Sequence, residues 1–331
     1  MKSLLVSKKL VVTMTLITCG LGGTQCADAS DAAKWPDKPI RVVVGFSPGG
    51  GADIVARIVT AKMGAELGRE FVVENRPGAT GQIAASTVAR AAPDGYTLML
   101  DATAFSINPV LYDNLPYNAK TDFAPISLLV KFPLLLVKNK NFKPESVKEL
   151  IAEAKDKPGR VSYGSSGVGS VQHLATALFA RDEGLKLLHV PYKGGSQSIS
   201  DLIGGQIQFI FANGASSLPY ALDKQILPLA TTGTKRSQAL PAVPTMEEAG
   251  VPNFQVYEWT ALFAPKGTPA SIVETLSKAA QIALKDPGVK EKLEGMGGEI
   301  VGATPDETAK YIQGQTDHWE KVIKENNIKV E

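Results

Sequence analysis

Residues 40–51 read IRVVVGFSPGGG, and this stretch decides how the chain begins to fold. The β-branched run 40–44 predicts a buried strand, and residues 52–67 place apolar side chains at helical spacing. Between them, residues 45–49 match G-x-S-x-G, the strand–turn–helix motif that exposes a nucleophilic serine in α/β-hydrolases. The stretch therefore predicts a glycine turn between a strand and a helix, and it asks whether Ser47 is a nucleophile.

The residue that follows Ser47 argues against catalysis. In a nucleophile elbow this residue donates its backbone N–H to the oxyanion hole, but Pro48 has no N–H. A helper base is also scarce, because the chain has 3 histidines. The alternative is anion binding, in which unpaired N–H groups and the helix dipole hold a negative charge at Gly49 and Gly50.

The first residues of the chain predict export. Three lysines precede the apolar run 10–21, which is too short to span a bilayer, and Ala27-Asp28-Ala29 is a suitable cleavage site. We therefore expect a signal peptide over 1–29 and a periplasmic product cleaved near Ala29. The residues before Cys19 and Cys26 are not the small pair that a lipoprotein signal requires.

Composition after this cleavage excludes several classes of protein. Removal of residues 1–29 takes away both cysteines, three lysines and one aspartate, and leaves 32 basic and 32 acidic residues. A chain without cysteine has neither a disulfide framework nor a cysteine-ligated metal. A net charge near zero gives no electrostatic surface for nucleic acid. No spacing of the histidines suggests a metal site, and we expect no cofactor.

Strand and helix patterns alternate along the rest of the chain, which is typical of an α/β protein with mostly parallel sheets. Predicted strands are 40–45, 71–75, 96–101, 125–137, 161–164, 187–191, 207–212, 226–231 and 259–264. Predicted helices are 52–67, 80–91, 106–112, 146–156, 169–181, 196–204, 216–223, 245–249, 270–285, 288–295 and 305–325. The long apolar segment 124–139 has Pro133 in its middle, so it is either one strand that passes from one sheet to another or two strands and a turn.

A second glycine turn has the same setting as the first. Residues 162–173 read SYGSSGVGSVQH, where a strand ends in serines and glycines before a helix. The pattern lacks the lysine of a phosphate-binding loop and the third glycine of a dinucleotide fingerprint. It is either a second anion site or a tight turn with a serine cap. Further glycine turns at 76–81 and 193–196 also follow strands, where open α/β sheets bind ligands.

Asp53 and His173 lie in the first turns of their predicted helices. We expect the carboxylate of Asp53 to complement the helix N-terminus, and His173 to pack or cap rather than catalyse.

Several segments in order along the chain resemble the Bug family, the TctC-like extracytoplasmic receptors of tripartite tricarboxylate transporters. They are WPDKPIRVVVGFSPGGGADIVAR, VVENRPGATGQIA, APDGYTLML, INPVLY, DFAPISLLV, YGSSGVGSVQHLA, HVPYKGG, DLIGGQIQFIF, KRSQALPAVPTMEEAGVP and LFAPKGTP. The resemblance covers roughly residues 35–331. It implies a two-lobed periplasmic-binding-protein fold of the second type, with a ligand cleft between the lobes. The lobes that we expect are 30–130 with 231–331, and 131–230.

The resemblance also implies function without chemistry. Such a receptor is a monomer that holds a small organic carboxylate between its lobes and delivers it to membrane subunits of the transporter. The residues expected to bind the ligand are Ser47, Gly49, Gly50, Thr80, Gly81, Thr103, Ser106, Ser165, Ser166, Gly169, Ser170 and Asn213. A receptor that signals through a sensor and an exported hydrolase using Ser47 are the alternatives.

Two positions depart from the family pattern. Many members have Pro or Ala where this chain has Ser47, which adds a hydroxyl to the first turn. Many have an Asp in an FDN-type segment where this chain reads Phe211-Ala212-Asn213, and such an Asp meets the amino group of a ligand. Its absence predicts that aspartate and glutamate bind no tighter than their deaminated analogues.

Overall fold

The computed structural model describes residues 35–325, so the predicted signal peptide lies outside the described residues. Within this range no helix is both long enough and apolar enough to cross a membrane. The strands are β1 (Ile40–Val44), β2 (Phe71–Asn75), β3 (Thr97–Ala102), β4 (Phe123–Asn139), β5 (Ser162–Ser165), β6 (Leu188–Pro191), β7 (Phe209–Asn213), β8 (Ile226–Thr231), β9 (Tyr257–Pro265) and β10 (Glu299–Ile300).

The helices lie between these strands and after β9. They are α1 (Gly51–Leu67), α2 (Gln82–Ala89), α3 (Ala104–Leu111), α4 (Val147–Asp156), α5 (Val171–Asp182), α6 (Gly195–Ile203), α7 (Gly214–Leu222), α8 (Ala270–Lys285), α9 (Pro287–Gly295) and α10 (Pro305–Glu325), with a 3-10 turn at Ala79–Gly81 before α2.

The long strand β4 passes from one sheet into another. It pairs with β9 from Phe123 to Pro133, and with β7 from Leu134 to Lys138. Of the two predicted arrangements of this segment, the structure has the single strand that crosses. Proline lacks an N–H, so Pro133 is compatible with a point where one ladder ends and the next begins.

Each sheet belongs to one lobe. The first lobe contains β1, β2 and β3, which pair in parallel, and the second contains β5, β6 and β7, which also pair in parallel. Pairs that involve β4 or β9 are antiparallel, including β3 with β9 and β4 with β7. The sheets are therefore mixed, because the strands that connect the lobes enter each sheet against the direction of its parallel strands.

The lobes have separate apolar cores. In the first, the β-branched residues of β1 and the leucines of β3 pack against α1 and α8, as the buried run 40–44 predicts. In the second, Leu134 and Phe211 pack with Val251, Phe254 and Val256 from the segment that returns to the first lobe. The last helix joins both, since Trp319 and Ile323 pack in the second core, whereas Tyr311 and Ile312 pack on the first lobe.

Each of the nine predicted strands has a counterpart, but the predicted helix at 245–249 is wrong. The segment forms a single turn, in which Glu248 N–H donates to Thr245 Oγ1 and Thr245 N–H donates to Glu248 Oε2. Gly250 then has φ of 93°, which stops the chain after one turn. The short strand β10 was not predicted, since two residues are too few to give a period.

Candidate functional site

Three helix N-termini from the two lobes meet at one place. Gly50 precedes α1 in the first lobe, and a Cβ atom placed on it would lie 3.8 Å from the backbone nitrogen of Gly195, the first residue of α6. A Cβ on Gly194 would lie only 2.9 Å from Ser47 Oγ. A Cβ on Gly51 would lie 2.5 Å from the side chain of Asn213, which precedes α7. Glycine at these positions permits the close approach of the two lobes.

Hydrogen bonds cross the cleft beside these helix ends. Thr80 Oγ1 donates to the carbonyl oxygen of Val168 at 2.5 Å, and the Tyr112 hydroxyl donates to the same oxygen at 3.2 Å. Ser196 Oγ donates to the carbonyl oxygen of Pro48 at 2.9 Å. These contacts join side chains of each lobe to the backbone of the other, so the lobes are drawn together in this conformation.

A small cavity of about 10 Å³ lies on the second-lobe side of the cleft, which is roughly the space of one water molecule. Its lining combines serine hydroxyls, two amides and apolar side chains, and includes no Lys or Arg. The lining residues are Gly164, Ser165, Ser166, Gln172, Gly195, Ser198, Ile199, Ile210, Phe211, Ala212, Asn213 and Ser216.

The first glycine turn is organised by Asp53, which is buried. Its carboxylate accepts the N–H of Gly49 at 2.8 Å, the Asn75 amide at 2.9 Å and the guanidinium of Arg57 at 2.9–3.0 Å. Burial alone would raise the pKa of Asp53, but the hydrogen bonds from Arg57, Gly49 and Asn75 outweigh it and hold this pKa below its usual value. The carboxylate is thus charged and complements the N-terminus of α1, as the sequence predicts.

The second glycine loop, residues 165–170, is organised by neutral groups. Ser165 Oγ lies 2.7 Å from His189 Nε2 and accepts the N–H of Gly167 at 3.2 Å. The N–H of Gly169 donates to His173 Nδ1 at 3.2 Å, and the rings of His173 and His189 stack at 4.3 Å. Burial lowers the pKa of His173 to about 4 and, together with the charge of His173, lowers that of His189 to about 3. Both imidazoles are therefore neutral at pH 7.

Two buried carboxyl groups lie close to the cleft. Glu258 Oε2, at the start of β9, accepts the amide of Asn213 at 2.7 Å and that of Gln172 at 3.1 Å. Burial raises the pKa of Glu258 against the opposing effect of these two amides. Asp101, the residue before the end of β3, lies beneath Gly81, and a Cβ on Gly81 would lie 3.1 Å from its Oδ1. Burial, with the charge of Glu258 added, raises the pKa of Asp101 to about 7.

The structure places eight of the twelve predicted site residues in three groups at the cleft. Ser47, Gly49 and Gly50 lie against residues 194–196, while Ser165, Ser166 and Asn213 line the cavity. Thr80 and Gly81 form the turn that bonds to Val168 and covers Asp101. The four remaining residues make contacts within the protein. Thr103 Oγ1 accepts the N–H of Trp259, Ser106 Oγ donates to the Thr103 carbonyl, Ser170 caps α5, and Gly169 faces Leu111.

Two of the predicted hydroxyls remain free to bind a ligand. Within residues 35–325, no side-chain hydrogen bond is formed by Ser47 or by Ser166, and both residues are buried at the edge of the cleft. By contrast, the backbone N–H groups of Gly49 and Gly50 already donate, to Asp53 and to the Ser47 carbonyl respectively. A ligand therefore meets two free hydroxyls but has to compete for these two N–H groups.

The geometry offers little to catalysis. Ser47 has no imidazole bonded to it in the described part of the chain, and Pro48 supplies no N–H. The pair of Ser165 and His189 has hydrogen-bond geometry, but an imidazole with a pKa of about 3 is a weak base at neutral pH. No group of three or more metal-ligating side chains occurs within residues 35–325.

Sequence reasoning did not identify Gln172, Glu258 or Asp101 as part of this region. The only sequence signal is a carboxyl group inside or at the end of an apolar strand, in YEWTALFAP and TLMLDA. Carboxyl groups are rarely buried without a partner, so this position in an apolar strand predicts a hydrogen-bonding partner from elsewhere in the chain.

Comparison with known proteins identifies a family and its fold. The model of the TctC family, described as the tripartite tricarboxylate transporter family receptor, matches residues 55–328. Protein BugT of Bordetella pertussis is 34% identical over 322 residues, which is 97% of this chain and 97% of that protein.

Two solved structures of similar chains contain a named ligand. Rpa4515 of R. palustris with adipate is 35% identical, with a TM-score of 0.87 over 89% of this chain and 99% of that one. MatC (Rpa3494) of Rhodopseudomonas palustris with bound malate is 33% identical, with a TM-score of 0.84 over 87% of this chain and 100% of that one.

Proposed function

Because the chain belongs to the tripartite tricarboxylate transporter receptor family, whose members are periplasmic solute-binding proteins, we propose that it captures a small organic carboxylate in the cleft and delivers it to the membrane subunits of such a transporter. The receptor acts as a monomer in the periplasm. Binding, rather than reaction, is its function.

One observation carries this proposal, namely that the N-termini of α1 and α6 face each other across the cleft. Each N-terminus carries a partial positive charge, worth roughly 0.3–1 kcal/mol in its interaction with an anion. Asp53 complements the first of these ends, but the first turn of α6 has no acidic residue. An anion between them would be attracted by α6, by the N–H groups of both ends and by the hydroxyls of Ser47 and Ser166.

The similar chains support a carboxylate in particular. Rpa4515 is described with adipate and MatC with malate, and both ligands are small dicarboxylates. The free hydroxyls and glycine backbones at the cleft suit a carboxylate, which accepts hydrogen bonds at both oxygens.

We place the hinge where the chain passes between the lobes. One crossing is at Pro133 in β4, and the other lies between β8 and β9. The expected boundaries near 130 and 231 stay proposals. The packing of Val251, Phe254 and Val256 in the second core favours assigning the segment between β8 and β9 to the second lobe. Opening at these crossings would break the bonds of Thr80 and Ser196 across the cleft and admit the ligand.

A thermal-shift screen tests the proposal directly. The protein from residue 30 onward is heated with aliphatic mono-, di- and tricarboxylates, aromatic acids, amino acids and neutral amides. A ligand that binds only the folded state raises the melting temperature. We expect one class of carboxylate to give a clear shift, and titration calorimetry then measures its Kd. Absence of a shift with every carboxylate, in protein refolded from denaturant to remove bound ligand, contradicts the proposal.

Two variants locate the binding site in the same experiment. Ser47→Ala and Ser166→Ala each remove a free hydroxyl. We expect each variant to bind the carboxylate that gives a thermal shift about fivefold more weakly. The control is Ser271→Ala, at an exposed position on α8 that is not among the residues lining the cavity. A loss in the control equal to that in the two variants would contradict the site.

A further inference from the structure

Besides the free hydroxyl of Ser166, the second-lobe wall of the cavity offers several hydrogen-bond acceptors. Ser198 Oγ donates to the carbonyl oxygen of Gly195 at 2.8 Å, and Ser216 Oγ donates to that of Asn213 at 3.2 Å. Because both hydroxyl protons are donated within the protein, these two oxygens can still accept a hydrogen bond from a ligand. Asn213 donates one amide N–H to Glu258, and its side-chain oxygen accepts the N–H of Ala215.

Gln172 adds an acceptor that has no partner. Its side chain is 5% exposed and lines the cavity, and its Nε2 donates to Glu258 Oε2. Its Oε1 is buried and has no hydrogen-bond partner within residues 35–325. A buried polar atom without a partner is destabilising, and native proteins rarely keep one unless a ligand or water satisfies it.

Glu258 fixes which way the Gln172 amide points. Gln172 Nε2 donates to Glu258 Oε2, so the NH₂ end of the Gln172 amide faces Glu258 and the Gln172 oxygen is directed elsewhere. Asn213 donates to the same carboxylate oxygen from the other side. Glu258 is therefore a positioning residue, and it is not itself among the residues that line the cavity.

We propose that the ligand is a hydroxy-carboxylate, whose carboxylate lies at the N-termini of α1 and α6 and whose hydroxyl donates to Gln172 Oε1. This inference rests on the proposed function and names the substrate class of the same site. Of the possible donors, a neutral hydroxyl fits best. An ammonium group would meet only amide and hydroxyl oxygens here, because Glu258 lies behind the two amides and no other carboxylate lines the cavity.

Matched pairs of ligands isolate the hydroxyl. Titration calorimetry compares lactate with propionate, malate with succinate, and citrate with tricarballylate, where each pair differs by one hydroxyl. For the pair of the size that binds, we expect the hydroxy acid to bind about tenfold more tightly, since its analogue leaves Gln172 Oε1 unpaired. Aspartate, the amino counterpart of malate, should bind more weakly than malate.

A variant tests whether Gln172 is the acceptor. Gln172→Met keeps the length of the side chain and removes its oxygen, so the hydroxy acid and its analogue should bind with about equal affinity. The ratio of the two affinities is the readout, because general damage to the site weakens both ligands alike. Exposed Gln225→Met is the control and should keep the tenfold preference. If Gln172→Met does not fold, Gln172→Asn withdraws the oxygen by one methylene and serves instead.

The outcomes separate this inference from the proposed function. If carboxylates bind but the hydroxy and deoxy acids bind equally, the inference is overturned and the receptor remains. It is overturned equally if Gln172→Met keeps the preference, or if aspartate binds more tightly than malate. If no carboxylate binds at all, both proposals are overturned.

Discussion

The two glycine turns that meet at the cleft follow the same pattern of strand, turn and helix, but different chemistry holds them. The first turn is held by charge, since Asp53 accepts from Gly49, Asn75 and Arg57. The second loop is held by neutral imidazoles, since His173 accepts from Gly169 and His189 bonds to Ser165.

This difference indicates how the two lobes share the work of binding. A carboxylate at the start of α1 complements the dipole of that helix internally and reduces its attraction for an anionic ligand. The helices of the second lobe begin without an acidic residue in α5, α6 or α7. We therefore expect the second lobe to attract the ligand carboxylate first, and the first lobe to close over it.

The largest expected effect concerns the carboxyl beneath the first turn. Burial raises the pKa of Asp101 from 3.8 to about 7, so the folded state favours its neutral form. Stability from this group is therefore full below pH 4, declines as the pH rises from 4 to 7, and is constant above. A shift of this size corresponds to about 4 kcal/mol as an upper limit. Asp101→Asn should be more stable than the wild type at pH 8 and no more stable at pH 4.

Urea unfolding at both pH values measures this prediction. The control is Glu291→Gln, an exposed carboxyl on α9, which should change stability little at either pH. Equal unfolding free energies of wild type and Asp101→Asn at pH 8 would show that the first turn does not rest on a neutral carboxyl.

The next effect concerns the contact between the two turns. Gly194 has extended backbone angles, φ 171° and ψ 166°, that any residue adopts, so alanine there causes no backbone strain. Its Cβ would nonetheless lie 2.8 Å from Ser47 Cβ, which prevents closure. We expect Gly194→Ala to bind the carboxylate that gives a thermal shift about tenfold to 100-fold more weakly, while its free energy of unfolding is unchanged.

Calorimetry of Gly194→Ala is compared with Gly314→Ala, where a Cβ on α10 meets no atom within 4 Å. An affinity equal to that of the wild type would mean that the ligand does not need the two turns in contact. A fall in stability as well as affinity would mean that the effect is on folding.

The local patterns of sequence predicted most of the fold. IRVVV and the helix after it lie where their periodicity places them, because both signals are local and strong. The crossing of β4 at Pro133 stayed one of two alternatives, since it depends on which strands pair with each half. The predicted helix at 245–249 is wrong, because Gly250 with φ of 93° limits this segment to one turn.

The site was less predictable, because its contacts join residues far apart in the chain. Gln172 and Glu258 are separated by 86 residues, and Asn213 and Glu258 by 45. The sequence around Glu258 does not predict that the side-chain amides of Gln172 and Asn213 donate to its carboxyl group. For the serines of the second glycine loop, the sequence pattern left two roles open, anion binding and helix capping. The structure assigns Ser170 to the cap of α5 and leaves Ser166 free.

A moderate effect is expected from the bond that ties the first lobe to the second loop. Thr80 donates across the cleft to Val168, and it does so from a left-handed conformation with φ of 50°. Thr80→Ala removes the bond, and we expect the ligand to bind about fivefold more weakly, since closure loses one hydrogen bond. Thr87→Ala is the matched control, because Thr87 bonds only within its own helix. Equal affinities of these two variants would contradict a role for Thr80 in closure.

The smallest effect is a difference in how the two turns respond to acid. The pKa of His173 lies near 4, below its unfolded value of 6.5, so its stabilising effect is full above pH 6.5 and is lost as the pH falls to 4. The pKa of Asp53 is held below 3.8, so the first turn keeps its hydrogen bonds to lower pH. The amide of Gly169 should therefore lose protection from hydrogen exchange at a higher pH than that of Gly49.

NMR measures both protection factors in one titration from pH 7 to pH 3. The amide of Gly159 is the internal reference, because it donates to the backbone oxygen of Lys186 and to no titrating side chain. Protonation of His173 at Nδ1 removes the acceptor of Gly169, whereas Gly49 loses its acceptor only when Asp53 is protonated. If the two amides lose protection together, the turns open as one unit and the difference in their chemistry does not make them independent. If Gly169 is released first, the second loop loosens under acid while the first turn remains intact, and ligand affinity should fall over the same range of pH.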